Sequence, residues 1–279
     1  MRILSIHNRY LQRGGEEESY ELEAQILRER GHQVDLYEDS NTRLDTLSPI
    51  RTASKTIWSQ QAYQEVSRKL ATTKYDLVHV HNFFPLISPS VYYAAKKARI
   101  PVVQTLQNFR LLCSNALFLR EGKVCEACLG KIIPYPAVIY GCYRNSRRSS
   151  TLTAAMLTIH RFLGTWNKQV DRYIALTNYD RDKFIEGGLP TDKIAVKPNL
   201  TYPDPDVGDG SGGYALFAGR LSVEKGIDTL LEAWEKLATK IPLKIVGDGP
   251  LASEVRTAAS QNSNIEWLGY KPLPEVYEV

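Results

Sequence analysis

Short β-rich apolar runs alternate along the chain with longer segments whose apolar residues recur at helical spacing. RILSIH (2–7), QVDLY (33–37), YDLVHVHN (75–82) and PVVQTL (101–106) read as strands. Between the first two, residues 16–30 fit a helix, with Gly31 placed for a left-handed C-terminal cap. A second helix is expected over 53–70, where Ile57, Ala62, Val66 and Leu70 fall loosely along one face. A third is expected to run to Ala98 from Ser88 as N-cap and Pro89 as first helical residue. Residues 107–150 break this rhythm and read as an insertion. A helix over 151–168 follows, then the strand RYIAL (172–176). Thr177 is placed to cap a short helix ending at Gly187-Gly188, and IAVK (194–197) is the last strand of this half.

Residues 199–213, NLTYPDPDVGDGSGG, carry Pro, Asp, Gly and Ser with little to bury, and read as a linker. A second alternation starts beyond it: strand YALFAG (214–219), helix 227–238, strand PLKIVG (242–247), helix 251–261 and strand IEWLG (265–269). Repeated strand–helix–strand units predict an α/β protein with parallel sheets covered on both faces. The expected organisation is a domain over 1–200, a linker over 201–213 and a second domain over 214–279, facing each other across a cleft. Ligands of such sheets gather at the carboxyl ends of the strands.

A length of 279 residues exceeds most single cores, which agrees with two domains. Charged residues make up 24% of the chain and the net charge is +4, spread along its length. That argues against nucleic acid as the main partner and allows peripheral contact with an acidic membrane surface. No apolar run approaches the roughly 20 residues of a membrane span. MRILSIHNRY has too short an apolar core for a secretory signal, so a cytoplasmic location is expected. Four cysteines in such a chain do not make a disulfide scaffold.

The candidate chemistry sits at strand ends. FAGRLSVEKG (217–226) places Gly219, Arg220 and Lys225 where a strand gives way to a helix. A rigid guanidinium fork and a mobile ammonium on one short loop suit phosphate oxygens; the bland alternative is an exposed ion pair with Glu224. VGDGPL (246–251) repeats the theme with Gly247, Asp248 and Gly249, and VKPN (196–199) brings Lys197 and Asn199 to the boundary between the halves. Gly14-Gly15, between the first strand and the first helix, could let a phosphate approach the backbone, or could be a plain turn. In HVHN, alternation puts His79 and His81 on one face. No carboxylate lies nearby in sequence to complete a metal site, and His81 is placed either to meet a substrate hydroxyl or to serve as a hydrogen-bonded structural group. Gln107 and Asn108 are polar residues ending the fourth strand, followed by Arg110. Cys113, Cys125, Cys128 and Cys142 are spaced C-x11-C-x2-C-x13-C, compatible with a structural four-thiolate zinc site or with free thiols.

Taken in order, the GG loop, DLVHVHN, IPVVQTLQNFRLLC, DRYIALT, VKPN, FAGRLSVEKG, IVGDGPL and IEWLGY resemble a retaining nucleotide-sugar glycosyltransferase of family 4 with the GT-B fold. CEACLG within the insertion is similar to one subgroup of that family. The resemblance implies two Rossmann-like domains, a nucleotide diphosphate-sugar donor held mainly by the second and a glycan or lipid-linked acceptor held by the first. It implies transfer of a hexose with retention through an oxocarbenium-like state, in which Arg220 and Lys225 neutralise the leaving diphosphate and no divalent metal is required. The donor side would take Gly14, Gly15, Asn199, Gly219, Gly247, Asp248 and Gly249. The acceptor side would take His81, Gln107 and Asn108.

Two features depart from the family pattern. Gln107 stands where members often carry His, and an amide cannot shuttle a proton. The family's acidic E-x7-E motif is expected beyond Val279, which implies a truncated second domain with half a donor site; Glu224 and Glu232 share that spacing but belong to the Arg/Lys motif. Two other functions stay open at this point: a nucleotide-sugar epimerase of the same architecture, and a non-catalytic, zinc-stapled binding fragment.

Overall fold

The structure is a computed structural model that describes residues 1–204, 207, 208, 210–237 and 241–279. The chain divides into two compact units, Met1–Leu200 and Thr201–Val279. Residues 205, 206 and 209 of the expected linker, and residue 238 at the expected end of a helix, lie outside the described residues.

In the first unit, β1 (Arg2–Arg9) leads into α1 (Gly15–Glu29) and β2 (Gln33–Ser40). Gly31 takes the left-handed conformation, φ +84°, just past the end of α1. Then come α2 (Pro49–Ile57), α3 (Gln60–Thr72), β3 (Leu77–Asn82), α4 (Ser90–Lys97) and β4 (Val102–Leu106). The insertion contains the two-residue strands β5 (Leu119–Arg120) and β6 (Lys123–Val124), which pair antiparallel, and the short α5 (Tyr135–Ile139). The unit closes with α6 (Arg147–Phe162), α7 (Thr165–Lys168), β7 (Arg172–Ala175), α8 (Asn178–Glu186) and β8 (Ile194–Val196).

Six strands form one sheet in the order β2-β1-β3-β4-β7-β8, every pair parallel. Crossover helices bury both faces of such a sheet, so its strands need apolar residues on both sides. That is why Ile3, Leu4, Ile6, Val78 and Val80 are all buried although they fall on both faces. The chain winds from β1 to β2 in one direction and from β1 to β3 in the other, so a crevice opens beyond the carboxyl ends of β1 and β3. A register shift after Ile6 sets His7 opposite Asn82. Asn82 Nδ2 donates to the Asn8 carbonyl at 2.7 Å, and Asn8 Oδ1 accepts from the Leu86 amide at 3.1 Å, so this strand end is rigid.

The second unit has β9 (Ala215–Ala218), α9 (Ile227–Lys236), β10 (Leu243–Val246), α10 (Ala252–Gln261), β11 (Ile265–Trp267) and α11 (Leu273–Tyr277). Its strands form a parallel sheet ordered β11-β10-β9. Leu221, Ile227, Leu243, Ile245, Val255 and Ile265 make its buried core.

Three expected helices differ in their limits. The helix expected over 53–70 is two helices. The Ser59 hydroxyl accepts from the Ala62 amide at 3.3 Å and so starts α3, while Trp58 is extended. Serine competes for the backbone in this way, and it outweighs the loose apolar stripe. Ser88 is not an N-cap. It sits at φ +65° and its hydroxyl accepts from the Ser59 amide at 2.8 Å and the Ser90 amide at 3.2 Å, so α4 starts at Ser90. The helix expected over 151–168 starts earlier, where the Ser146 hydroxyl accepts from the Ser149 amide, and breaks at Gly164, φ +67°.

Candidate active site

The loop after β1 is organised by Glu17. Its carboxylate accepts from the Tyr10 amide at 2.7 Å and the Gly14 amide at 3.1 Å, reaching back over the start of α1. The first turn of α1 thus carries Glu16, Glu17 and Glu18. The Gly14 N–H proposed for a phosphate already has an acceptor, and three carboxyl groups occupy the helix end that would attract an anion. Gly15 is exposed.

Glu16 is the group that residue-by-residue reading overlooked. Its Oε2 accepts from Asn108 Nδ2 at 3.0 Å and from the Tyr10 hydroxyl at 3.1 Å. Its Oε1 is sealed from solvent with no partner. Burial outweighs these hydrogen bonds and raises its pKa to about 7. Within EEES, nothing local distinguishes this glutamate from its neighbours. Only the fold brings it to Asn108.

Gln107 and Asn199, placed apart in the sequence reading, meet. Each amide donates to the other's carbonyl at 3.2 Å, joining the ends of β4 and β8 near the surface. Arg110 instead packs its guanidinium 4.3 Å over the Phe84 ring and 5.0 Å over Tyr143.

His81 does not face solvent: it is 3% exposed. Its ring lies 4.1 Å from that of His79 and 5.1 Å from that of Tyr20. Burial, together with His79, His7 and Lys197, pushes its pKa well below the ordinary value. A neutral, walled-in imidazole packs the underside of the crevice and does not reach a substrate hydroxyl in this geometry. His79 donates or accepts at Thr105 Oγ1, 2.8 Å away, and its Nδ1 lies 3.6 Å from Glu23. Glu23, distant in sequence, also meets Lys197 at 3.4 Å. Glu23, His79 and His81 bring one ligand atom each within 4.8 Å of the others, the carboxylate that the local sequence lacked.

In the second unit, two strand-end loops are stitched together by backbone. The Gly219 amide donates to Val246, that of Leu221 to Asp248, and that of Leu251 to Leu221, each at 3.0 Å. This contact needs the glycines. A Cβ on Gly247, φ +140°, would stand 1.9 Å from the Gly219 carbonyl oxygen, and one on Gly249 would stand 2.4 Å from that of Leu221. Gly219, Gly247 and Gly249 therefore first serve to bring the loops together, and Asp248 turns its carboxylate onto the Gly249 amide at 2.7 Å. The product is a pinned backbone on either side of Arg220. Arg220 and Lys225 are exposed, and among the described residues neither side chain has an acidic partner; the ion pair with Glu224 does not form.

All four cysteines are free thiols and line one small cavity in the insertion. No helix among the described residues is long and apolar enough to cross a membrane.

Comparison with known proteins gives these elements a context. A curated protein of Klebsiella pneumoniae, described as an uncharacterized 42.6 kDa protein in the cps region, is 26% identical over 94% of this chain and 72% of its own length. The structure of Anabaena HepE in complex with UDP superposes with a TM-score of 0.56 at 16% identity, covering 99% of this chain and 71% of that one. The lipopolysaccharide outer core galactosyltransferase WaaB in its apo form gives 0.54 at 14% identity, covering 99% and 70%. The model of the family "Glycosyltransferase Family 4" matches residues 13–201, and that of "Glycosyl transferases group 1" matches 212–279. With more than half its length matched by the first of these, and with its parallel α/β units, the chain belongs to Glycosyltransferase Family 4 and is a glycosyltransferase of the GT-B fold.

Proposed function

We propose that this glycosyltransferase moves a hexose from a nucleotide diphosphate-sugar to a hydroxyl of a glycan or lipid-linked acceptor, with retention at the anomeric carbon. The observation that carries the reading is Arg220: an exposed guanidinium, unpaired among the described residues, on a backbone pinned at both neighbours, at the carboxyl end of β9, with Lys225 one short turn away. The sugar–phosphate bond breaks towards an oxocarbenium-like state, and negative charge grows on the leaving diphosphate. Fixed cations placed where that charge develops lower the barrier without reorganising. The leaving phosphate oxygen takes the acceptor proton, so no side-chain base is needed, which suits an amide at Gln107 and a buried neutral His81. The Gln107–Asn199 pair offers a carbonyl and an amide group to a sugar hydroxyl. Two comparisons support the reading: HepE is captured with UDP and with UDP-glucose, and WaaB is a galactosyltransferase of lipopolysaccharide. The words "cps region" for the Klebsiella relative agree with a role in polysaccharide synthesis.

The test is UDP binding by calorimetry and turnover of labelled UDP-glucose with this chain. Arg220→Ala should lower turnover by about 10²–10³, the loss typical of a group that stabilises developing charge. Arg220→Lys should recover only part of it, because a point charge lacks the bidentate fork. Unchanged turnover and UDP affinity in both Arg220→Ala and Lys225→Ala would refute the assignment. Sugar interconversion without transfer would favour an epimerase instead.

A further inference from the structure

The insertion between β4 and α6 joins the core at its start, through Leu111, Leu112 and Phe118, and has little regular structure of its own. Residues 107–146 contain two two-residue strands and one five-residue helix. Leu117, Val124, Ile132, Ile133, Tyr135 and Ile139 are exposed. Ala116, Phe118, Glu121, Arg144 and Asn145 all take positive φ, a conformation that side chains disfavour. Beyond Phe118, a segment with this backbone strain and few buried side chains needs another source of order. Its one convergent feature is sulfur. Cys113 from the turn after β4, Cys125 and Cys128 from the turn after β6, and Cys142 from the turn after α5 all line a single cavity of about 10 Å³. That is room for about one water-sized sphere.

We propose that this cavity is a structural zinc site, with Cys113, Cys125, Cys128 and Cys142 as its four thiolate ligands. The thiols are reduced and unpaired, although four cysteines from three turns meet there. Zinc bound by four thiolates leaves two negative charges. Arg120 lines the same cavity, with its guanidinium 3.8 Å over the Tyr140 ring, and Arg161 ties α6 to the insertion through the carbonyls of Lys131 and Leu111. Both cations stand where that charge would fall. Without metal, no three of the sulfurs lie within 4.8 Å of one another. Cys113 donates its S–H to Asn115 Oδ1 at 2.9 Å and Cys128 points its own at the Pro134 carbonyl at 3.9 Å. Ligation would release all four thiol protons to solvent, free these two sulfurs from their acceptors, and let the four serve as ligands. The role is to staple the insertion that carries the residues following Gln107 and Asn108.

The chain, purified without chelator and reconstituted with zinc sulfate in reducing buffer, should hold about one equivalent of zinc. Cobalt(II) in its place should show strong thiolate-to-cobalt charge-transfer absorption, with all four thiols protected from alkylation until a mercurial releases the metal. Cys128→Ser and Cys125→Ser should each lower metal content at least about tenfold. Three results would overturn the proposal: less than about one-tenth equivalent after reconstitution; four thiols that alkylate freely in the zinc-loaded native protein; or metal that stays in both serine variants and is lost in His81→Gln, which would place it at Glu23, His79 and His81. The cobalt spectrum of the unmutated chain decides the matter even if the serine variants fail to fold.

Discussion

Glu16→Gln should change the stability of the first unit by an amount whose sign and size depend on pH. The unfolded carboxyl has its ordinary pKa of 4.5, while in the folded chain it titrates near 7. Between these values the folded state keeps a proton that the unfolded state has released, so stability falls as pH rises through the window; above about 7 both states are ionised and the full penalty applies. The gap of about 2.5 units corresponds to ~3 kcal/mol at most, and the partial exposure of the residue lowers the expectation to about 2 kcal/mol. Glutamine copies the protonated acid. Its carbonyl oxygen can accept from Asn108 and Tyr10, but its NH₂ then occupies the unpartnered Oε1 position, which costs about 1 kcal/mol at every pH. The variant should therefore be slightly less stable than the parent at pH 4.5 and more stable by about 1 kcal/mol at pH 8. The assay is urea unfolding by tryptophan fluorescence, in a background where Trp234 and Trp267 are replaced by Phe so that Trp58 and Trp166 report the first unit alone. A stability difference that does not change between pH 4.5 and 8 would show that Glu16 is not a desolvated acid, and would refute the reasoning.

Acid should act on the same unit with the opposite slope. His79, His81 and His160 are held below their ordinary pKa chiefly by burial, so the folded state resists protons that the unfolded chain binds below about 6.5. In the Glu16→Gln background, stability should be greatest above that pH and fall towards pH 5; a flat profile would contradict the assignment of neutral, buried imidazoles. Gly247→Ala should destabilise the second unit by about 2–3 kcal/mol and weaken UDP binding, because a Cβ 1.9 Å from the Gly219 oxygen must push the Arg220 loop away. Wild-type unfolding and UDP affinity in this variant would argue against the stitched loops. Gln107→Ala and Asn199→Ala should couple by about 0.5–1 kcal/mol in a double-mutant cycle of stability, since each removes the same pair of hydrogen bonds; strict additivity would mean that the pair does not persist in solution.

The strand pattern was readable because a parallel sheet buried on both faces demands contiguous apolar runs, and RILSIH, LVHV and LKIV are such runs. Helix limits were less readable where a single serine decided them. Ser59 and Ser146 each satisfy an orphan amide, a local preference that an apolar stripe four turns long does not reveal. The cysteine spacing left metal and free thiols both open, and their convergence on one cavity is a property of the turns that separate them.

Arg220 and Lys225 belong to the sequence: their chemistry and their place at the end of a strand follow from ten consecutive residues. That Arg220 is unpaired among the described residues, on a backbone pinned at both its neighbours, belongs to the tertiary structure, through the carbonyls of Val246 and Asp248 that no local reading connects to it. The same division runs through the first unit. Alternation alone put His79 and His81 on one face, yet only the packing of α1 against the sheet enclosed them and supplied Glu23. Glu16 is the extreme case, an ordinary surface glutamate by sequence that becomes a titrating acid because the end of β4 delivers Asn108 to it from 92 positions away. Residue type and period are encoded locally. Desolvation and partner choice are sums over neighbours distant in the chain, and these alone decide which candidate group is charged, which is buried and which is free to meet a substrate.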